Sequence, residues 1–218
     1  MIRKIGLSLL AVAVPMVAAA PASAYERLPT ALARLSPADF ASKVRVIDDP
    51  LEPAIILSTV EAYKRGRSIK GADADDVHLR VVVDRATRRV SWQVWHDLSH
   101  AGNRRDLSSV HYLTGGALER SEVMALENWL DQCPPTDGIG SCNQFIRVAF
   151  ELPERTIREI ASAYRPGERT PWRMRFKDKN GRDITGGLAP AEVAGLVDAL
   201  ETWQRTNREH QTALAIPR

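Results

Sequence analysis

Cysteine, aromatic residues and catalytic sequence motifs are all scarce in this chain of 218 residues. It has two cysteines, and aromatic residues make up 6% of the composition. It contains no Gly-x-Ser-x-Gly elbow, no phosphate-binding Gly-x-x-x-x-Gly-Lys loop, no Gly-x-Gly-x-x-Gly fingerprint and no His-Glu-x-x-His motif. The common signatures of serine hydrolases, P-loop nucleotide hydrolases, dinucleotide enzymes and zincins are therefore missing, and whether the chain is an enzyme stays open.

Acidic residues are missing from the N-terminal segment. Arg3 and Lys4 precede an almost wholly apolar run over residues 5–20, and Pro21-Ala22-Ser23-Ala24 then places small residues where a signal peptidase cleaves. The run is shorter than the about 20 apolar residues of a membrane-spanning helix. We therefore predict that residues 1–24 are a secretory signal peptide.

Long apolar runs are also absent after the signal, so we expect no transmembrane segment in the mature chain. Removal of Arg3 and Lys4 from the 30 basic residues leaves 28 against 27 acidic ones. A nucleic-acid-binding protein should carry a strong basic excess, so nucleic acid is not an expected partner. We predict one soluble mature domain over residues 25–218, periplasmic or secreted, whose partner is an unknown ligand or an envelope component.

Apolar alternation predicts the clearest element, an antiparallel hairpin. Its two runs are separated by a polar turn and place these residues on one face: Val77, Leu79, Val81, Val83, Val90, Trp92 and Val94. Further strands are predicted over residues 44–47, 54–60, 109–114, 145–152 and 172–176. Helices are predicted to start at Ser36-Pro37, Pro153-Glu154 and Pro190.

Residues 117–132 fit either type of element. Val123, Leu126, Trp129 and Leu130 fit one face of a helix, and we predict a helix here although a strand stays open. The total is six or seven strands and three or four helices, without the strict alternation of a parallel sheet. We predict an α+β fold with a mainly antiparallel sheet; the alternative is a β-sandwich with added helices.

The two cysteines, Cys133 and Cys142, predict a structural disulfide. An even count at short spacing is typical of a bridge in an oxidising compartment. Closing a loop of this length stabilises the folded state by roughly 2 to 3 kcal/mol in the chain-entropy description.

The Ser36-Pro37 helix start, the hairpin, the paired cysteines and the Pro190 helix together resemble exported bacterial proteins of unassigned function. The resemblance extends over about residues 44–205 of this chain. It indicates no named family and implies no activity.

Two histidines, His96 and His100, have the i, i+4 spacing that lets imidazoles chelate zinc on a helix. His96, however, continues the alternation of the predicted strand, and Asp97 stands where the zincin motif has glutamate. We therefore interpret both as mobile polar residues at a strand end, whose replacement should cost little stability. We expect no bound metal and no cofactor.

Trp92 and Trp95 fall on opposite faces of the same predicted strand. An exposed tryptophan suits a sugar or a peptide, although helices covering the sheet would hide both rings. We name Trp95, His96 and His100 as candidate ligand-binding residues. The leading hypothesis is a non-catalytic binding or interaction module; the alternative is a periplasmic hydrolase that uses His96 and His100, with or without a metal.

Overall fold

A computed structural model describes residues 27–63, 75–101, 104–130 and 143–214. The predicted signal peptide and both cysteines lie outside these residues, so cleavage and the disulfide stay predictions. The ends of the cysteine-bearing segment are nevertheless close together, because Leu130 pairs with Gln144 across two neighbouring strands.

Nine strands form one curled antiparallel sheet, a half-barrel, in the described part of the chain. The strands are β1 (Arg45–Ile47), β2 (Ala54–Ser58), β3 (Asp75–Asp84), β4 (Val90–Ala101), β5 (Leu107–Thr114), β6 (Ala117–Leu130), β7 (Asn143–Leu152), β8 (Trp172–Asp178) and β9 (Ile184–Leu188). Their order across the sheet is β1-β2-β3-β4-β7-β6-β5-β8-β9. The helices are α1 (Thr30–Ala33), α2 (Pro37–Ala41), α3 (Glu154–Ser162) and α4 (Pro190–Leu214). The predicted α+β fold with a mainly antiparallel sheet is confirmed.

One face of the curled sheet, here called the inner face, holds the hydrophobic core. The alternation in the β3–β4 hairpin works as predicted: Val81 lies opposite Trp92 and Val83 opposite Val90. Helices α3 and α4 cover this face and contribute Ile157, Ile160, Val193, Leu196, Val197 and Leu200 to the same cluster. The core therefore lies between one sheet and its helices, whereas the alternative fold would place it between two sheets.

Helix α2 begins as predicted and is held against α4. The Ser36 hydroxyl accepts a hydrogen bond from the Asp39 amide, and the Asp39 carboxylate accepts from the Ser36 amide, which forms a capping box. At the contact, a Cβ on Gly195 would lie 2.5 Å from the Pro37 carbonyl oxygen and 2.6 Å from Phe40 Cβ. Only glycine lets the two helices approach this closely.

The helix predicted over residues 117–132 is wrong, because its described part, residues 117–130, forms β6. A β-bulge between Val123 and Ala125 shifts the register against β7. Val123 and Leu126 consequently pair with Phe150 and Val148, which both belong to the inner face although the two β6 residues are three positions apart. The extra residue of the bulge thus gives two inner-face residues of a strand the three-residue spacing that is typical of a helix face.

Strand β6 is unusual because its two halves have different partners. Residues 117–122 pair with β5, and residues 123–130, on the far side of the bulge, pair with β7. No helix within the described ranges is long and apolar enough to cross a membrane.

Candidate functional site

The candidate residues Trp95 and His96 are neighbours on β4 and therefore lie on opposite faces of the sheet. Trp95 lies half-buried on the outer face of the sheet, whereas His96 is 0% exposed on the inner face, with its ring 5.3 Å from that of Phe176. The interpretation of His96 as a mobile residue at a strand end is wrong, because β4 continues for five further residues to Ala101. The backbone of His100 pairs with Gln144, and its side chain lies outside the described part.

The surroundings of His96 are tightly packed. A Cβ on Gly186 of β9 would lie 3.0 Å from His96 Cε1 and 2.9 Å from the methyl carbon of Met174. Even one added carbon would therefore force a neighbour to move. His96 acts in this structure as a core residue rather than as part of a cavity.

Trp95 is held in place by three neighbours on the outer face. The guanidinium carbon of Arg80 lies 4.1 Å from the centre of the indole ring, within the range of a cation–π contact. The His78 ring lies nearly parallel to the indole, with centroids 6.3 Å apart, and the indole N–H donates to Gln93 Oε1 at 3.1 Å. These contacts fix the orientation of the ring before any partner arrives.

His78 is the most buried titratable group on this face, with 2% of its surface exposed. Neither of its ring nitrogens has a hydrogen-bond partner among the described residues. Burial, and secondarily the positive charge of Arg80, lowers the pKa of His78 to about 4. His78 is therefore neutral at pH 7, and its ring packs nearly parallel to the Trp95 indole.

A second aromatic–arginine pair lies on the same face, across β7 and β6. Arg147 Nε and Nη2 donate to the two Asp97 carboxylate oxygens at 2.8 and 2.9 Å. These hydrogen bonds raise the pKa of Arg147 above its usual value. The Arg147 guanidinium carbon lies 5.9 Å from the Trp129 ring centre, and Trp129 stacks on Phe145 with centroids 5.6 Å apart.

Together these side chains form a continuous surface that we call the Trp–Arg face, made of Arg80, Trp95, Asp97, Arg147 and Trp129. Trp129 remains 44% exposed, and the Arg147 and Asp97 side chains are about one-third exposed. Of these five residues, the sequence singled out Trp95 as a binding residue and missed the others. The available signal was the alternation itself, which assigns Arg80 to the outer face opposite the apolar inner positions of β3.

The Trp–Arg face ends at an open strand edge. After the bulge, residues 125–130 of β6 form ladder pairs with β7. On the opposite side, residues 124–130 form no ladder pair within the described ranges, because the pairing of β6 with β5 ends at Glu122. Three large apolar side chains are exposed along this stretch: Met124, Trp129 and Leu130. An unpaired row of backbone N–H and C=O groups therefore lies next to exposed aromatic surface.

Three surface grooves lie elsewhere. One of about 240 Å³ is lined by residues that include Leu28, Tyr164 and Trp172, and one of about 290 Å³ lies between β1 and α4 beside Val46 and Trp203. A third, of about 300 Å³, lies at the start of β4 and α3. Their lining includes none of the Trp–Arg face residues.

Among the described side chains, no cluster of three or more His, Cys, Asp or Glu residues is placed to hold a metal ion. Comparison of the chain with protein-family models, with curated proteins and with solved structures finds no significant match.

Proposed function

We propose that this chain is an exported, non-catalytic binding module that takes up an extended segment of an envelope protein along the open edge of β6. The adjoining Trp–Arg face contacts the side chains of that segment. The observation that carries the proposal is the coincidence of a strand edge that no described residue pairs with, exposed Trp129 and an oriented arginine beside it.

The backbone of β6 supports this mode of binding. An open edge presents hydrogen-bonding groups that are satisfied when another chain adds a strand. Edge strands are commonly protected by their short length, by proline or by inward charge. Residues 124–130 contain no proline and expose apolar side chains, which favours pairing with a partner over protection from one.

The side chains of the Trp–Arg face support a protein as the partner. Tryptophan and arginine are the residue types most enriched among the residues that dominate protein–protein binding energy. Here both arginines are already oriented, Arg80 against Trp95 and Arg147 by its paired bonds to Asp97. Side chains ordered before binding lose less entropy when a partner arrives.

The position of His96 supports the non-catalytic part of the proposal. A general acid or base must reach the reacting atoms. His96 is fully enclosed by the core, and its ring packs against Phe176. The hydrolase alternative therefore receives no support from the residue on which it chiefly depended.

Site-specific photo-crosslinking in the producing cell tests the proposal. Trp129 is replaced by benzoylphenylalanine, which keeps an aromatic ring at the edge; Leu51, 91% exposed near the other end of the sheet, receives the same group as the matched control. We expect a discrete protein adduct from position 129 and none from position 51. Arg147→Ala should reduce the adduct about tenfold or more, as expected for a dominant contact residue, whereas Arg205→Ala, at an exposed position of α4, should leave it unchanged.

Two results would overturn the proposal. The first is equal labelling from positions 129 and 51, which would show that the β6 edge has no dedicated partner. The second is an adduct that resists protease and yields sugar on hydrolysis, which would replace the protein partner with an envelope polysaccharide. Circular dichroism of each variant confirms that it is folded before its labelling is compared.

A further inference from the structure

We propose that a second surface, formed by the outer faces of β5, β6 and β8, docks on an anionic lipid bilayer. We call it the basic–leucine surface; its principal residues are Leu113, Leu118, Arg120, Arg173 and Arg175. It lies on the opposite side of the β6 bulge from the Trp–Arg face, and it does not depend on the proposed protein partner.

The apolar part of this surface is the end of the β5–β6 hairpin. Leu113 and Leu118 pair directly across the two strands and are 58% and 69% exposed. The turn between them is pinned by Glu159 of α3, whose carboxylate accepts from the Gly115 amide and the Thr114 hydroxyl, both at 2.7 Å. Two leucine side chains are therefore exposed to solvent on either side of a turn that is held in one conformation.

Cations lie immediately beside the leucines. His111, two positions from Leu113, lies opposite Arg120 on β6 and opposite Arg175 on β8. Arg173 follows Trp172, whose indole N–H donates to the Leu113 carbonyl at 3.2 Å. Arg120 on β6 and Arg173 and Arg175 on β8 are all exposed, so a band of arginines lies on the two sides of β5 next to the apolar tip.

The acidic groups of this face lie farther from the leucines. Glu122 is ion-paired with Arg120 at 2.7 Å, and Asp183 is ion-paired with Lys177. In order along the strands, the surface thus shows apolar residues at the tip, then a basic band in which Arg120 is paired with Glu122, and then the Lys177–Asp183 ion pair. Two acidic groups lie close to the tip in sequence or by contact: Glu119 is half-buried on the opposite side of β6, and Glu159 is engaged by the turn.

This order matches an anionic bilayer better than a soluble polyanion. A polyanion would use the arginines and leave both leucines in water. A bilayer takes up apolar side chains below the headgroups while anionic headgroups meet the basic band. The charge is local, because the mature chain carries almost balanced charge, 28 basic against 27 acidic residues.

Vesicle co-sedimentation with the mature chain tests the inference. We expect binding to phosphatidylglycerol vesicles, weakening with added salt, and no binding to phosphatidylcholine vesicles. The double variant Leu113→Ser, Leu118→Ser should bind about tenfold more weakly because two inserted side chains are lost. Arg173→Gln and Arg175→Gln should each weaken binding about fivefold. The matched controls Leu51→Ser and Arg205→Gln should bind as the unaltered chain does.

Three outcomes would overturn the inference. The first is failure of the unaltered chain to sediment with phosphatidylglycerol vesicles. The second is equal binding of the leucine variant and the unaltered chain, which would reduce the surface to a polyanion site. The third is a loss of binding in the Leu51→Ser control as large as that in the leucine variant, which would show that the contact is not specific to the hairpin tip.

Discussion

His78 should make the free energy of unfolding fall in acid, and replacing this one residue should remove that contribution. Its pKa falls from 6.5 in the unfolded chain to about 4 in the folded one, chiefly because it is buried. Between these values the unfolded chain binds a proton that the folded chain excludes, so stability falls as the pH decreases from 6.5 towards 4. At 1.36 kcal/mol per pKa unit, the loss between pH 7 and pH 4 is about 3 kcal/mol.

The perturbation is His78→Phe, which keeps a ring beside Trp95 and removes the titratable group. Urea unfolding of both proteins at pH 7 and at about pH 4 gives the two stability differences. Carboxylates with lowered pKa values, Asp178 for example, also destabilise both proteins in acid, and this shared contribution cancels in the comparison. We expect the variant to gain about 3 kcal/mol relative to the unaltered chain at the lower pH.

The cause of the shift can be tested separately. Because burial is the largest cause and Arg80 the second, Arg80→Gln should reduce the pH effect without removing it. An NMR titration should place the midpoint of the His78 ring near pH 4. A midpoint near 6.5, or parallel pH profiles for the unaltered chain and His78→Phe, would refute the argument that this histidine is desolvated.

Three further expectations concern stability. His96→Ala should lower the unfolding free energy by about 2 to 4 kcal/mol in urea titrations, since it empties a fully enclosed site; a loss under about 1 kcal/mol would restore the strand-end interpretation. Gly195→Ala should cost about 2 kcal/mol or more in the same assay, because its Cβ would collide with the α2 backbone. Non-reduced mature protein should weigh two hydrogens less than its reduced form, and Cys133→Ser should cost roughly 2 to 3 kcal/mol; two titratable thiols in native protein would contradict the bridge.

Elements whose sequence pattern matches their local geometry could be predicted. The β3–β4 hairpin alternates strictly, and the residues assigned to its inner face are in the core. The start of α2 could be predicted because Ser36 and Asp39 form the capping box and Pro37 is the first residue of the helix. In both cases the residues that produce the structure are neighbours along the chain.

Elements that depend on distant contacts could not be predicted. The bulge at Val123 gave β6 the spacing of a helix. Strand β9 was missed because Gly186 and Gly187 have weak strand propensity. Those glycines are needed because Met174 and Pro171 lie within 3 Å of where a Cβ would be. The lack of room for a Cβ at these two positions cannot be read from the residues next to them in sequence.

The candidate site was only partly predictable for the same reason. Alternation correctly separated Trp92 from Trp95, and Trp92 is buried while Trp95 is half-buried on the outer face. Which partners meet Trp95 depended on strand order. Arg147 reaches the site because β7 rather than β5 lies beside β4, and that order is set by long-range pairing.

The divided pairing of β6 also bears on how the folded protein opens. Its first half belongs to the ladder with β5 and its second half to the ladder with β7, and the two meet at Val123. The β5 side can therefore lose its hydrogen bonds without breaking any ladder bond on the β7 side. Native-state amide exchange should accordingly divide into two cooperative units along this single strand, with amides before and after Val123 exchanging at different rates.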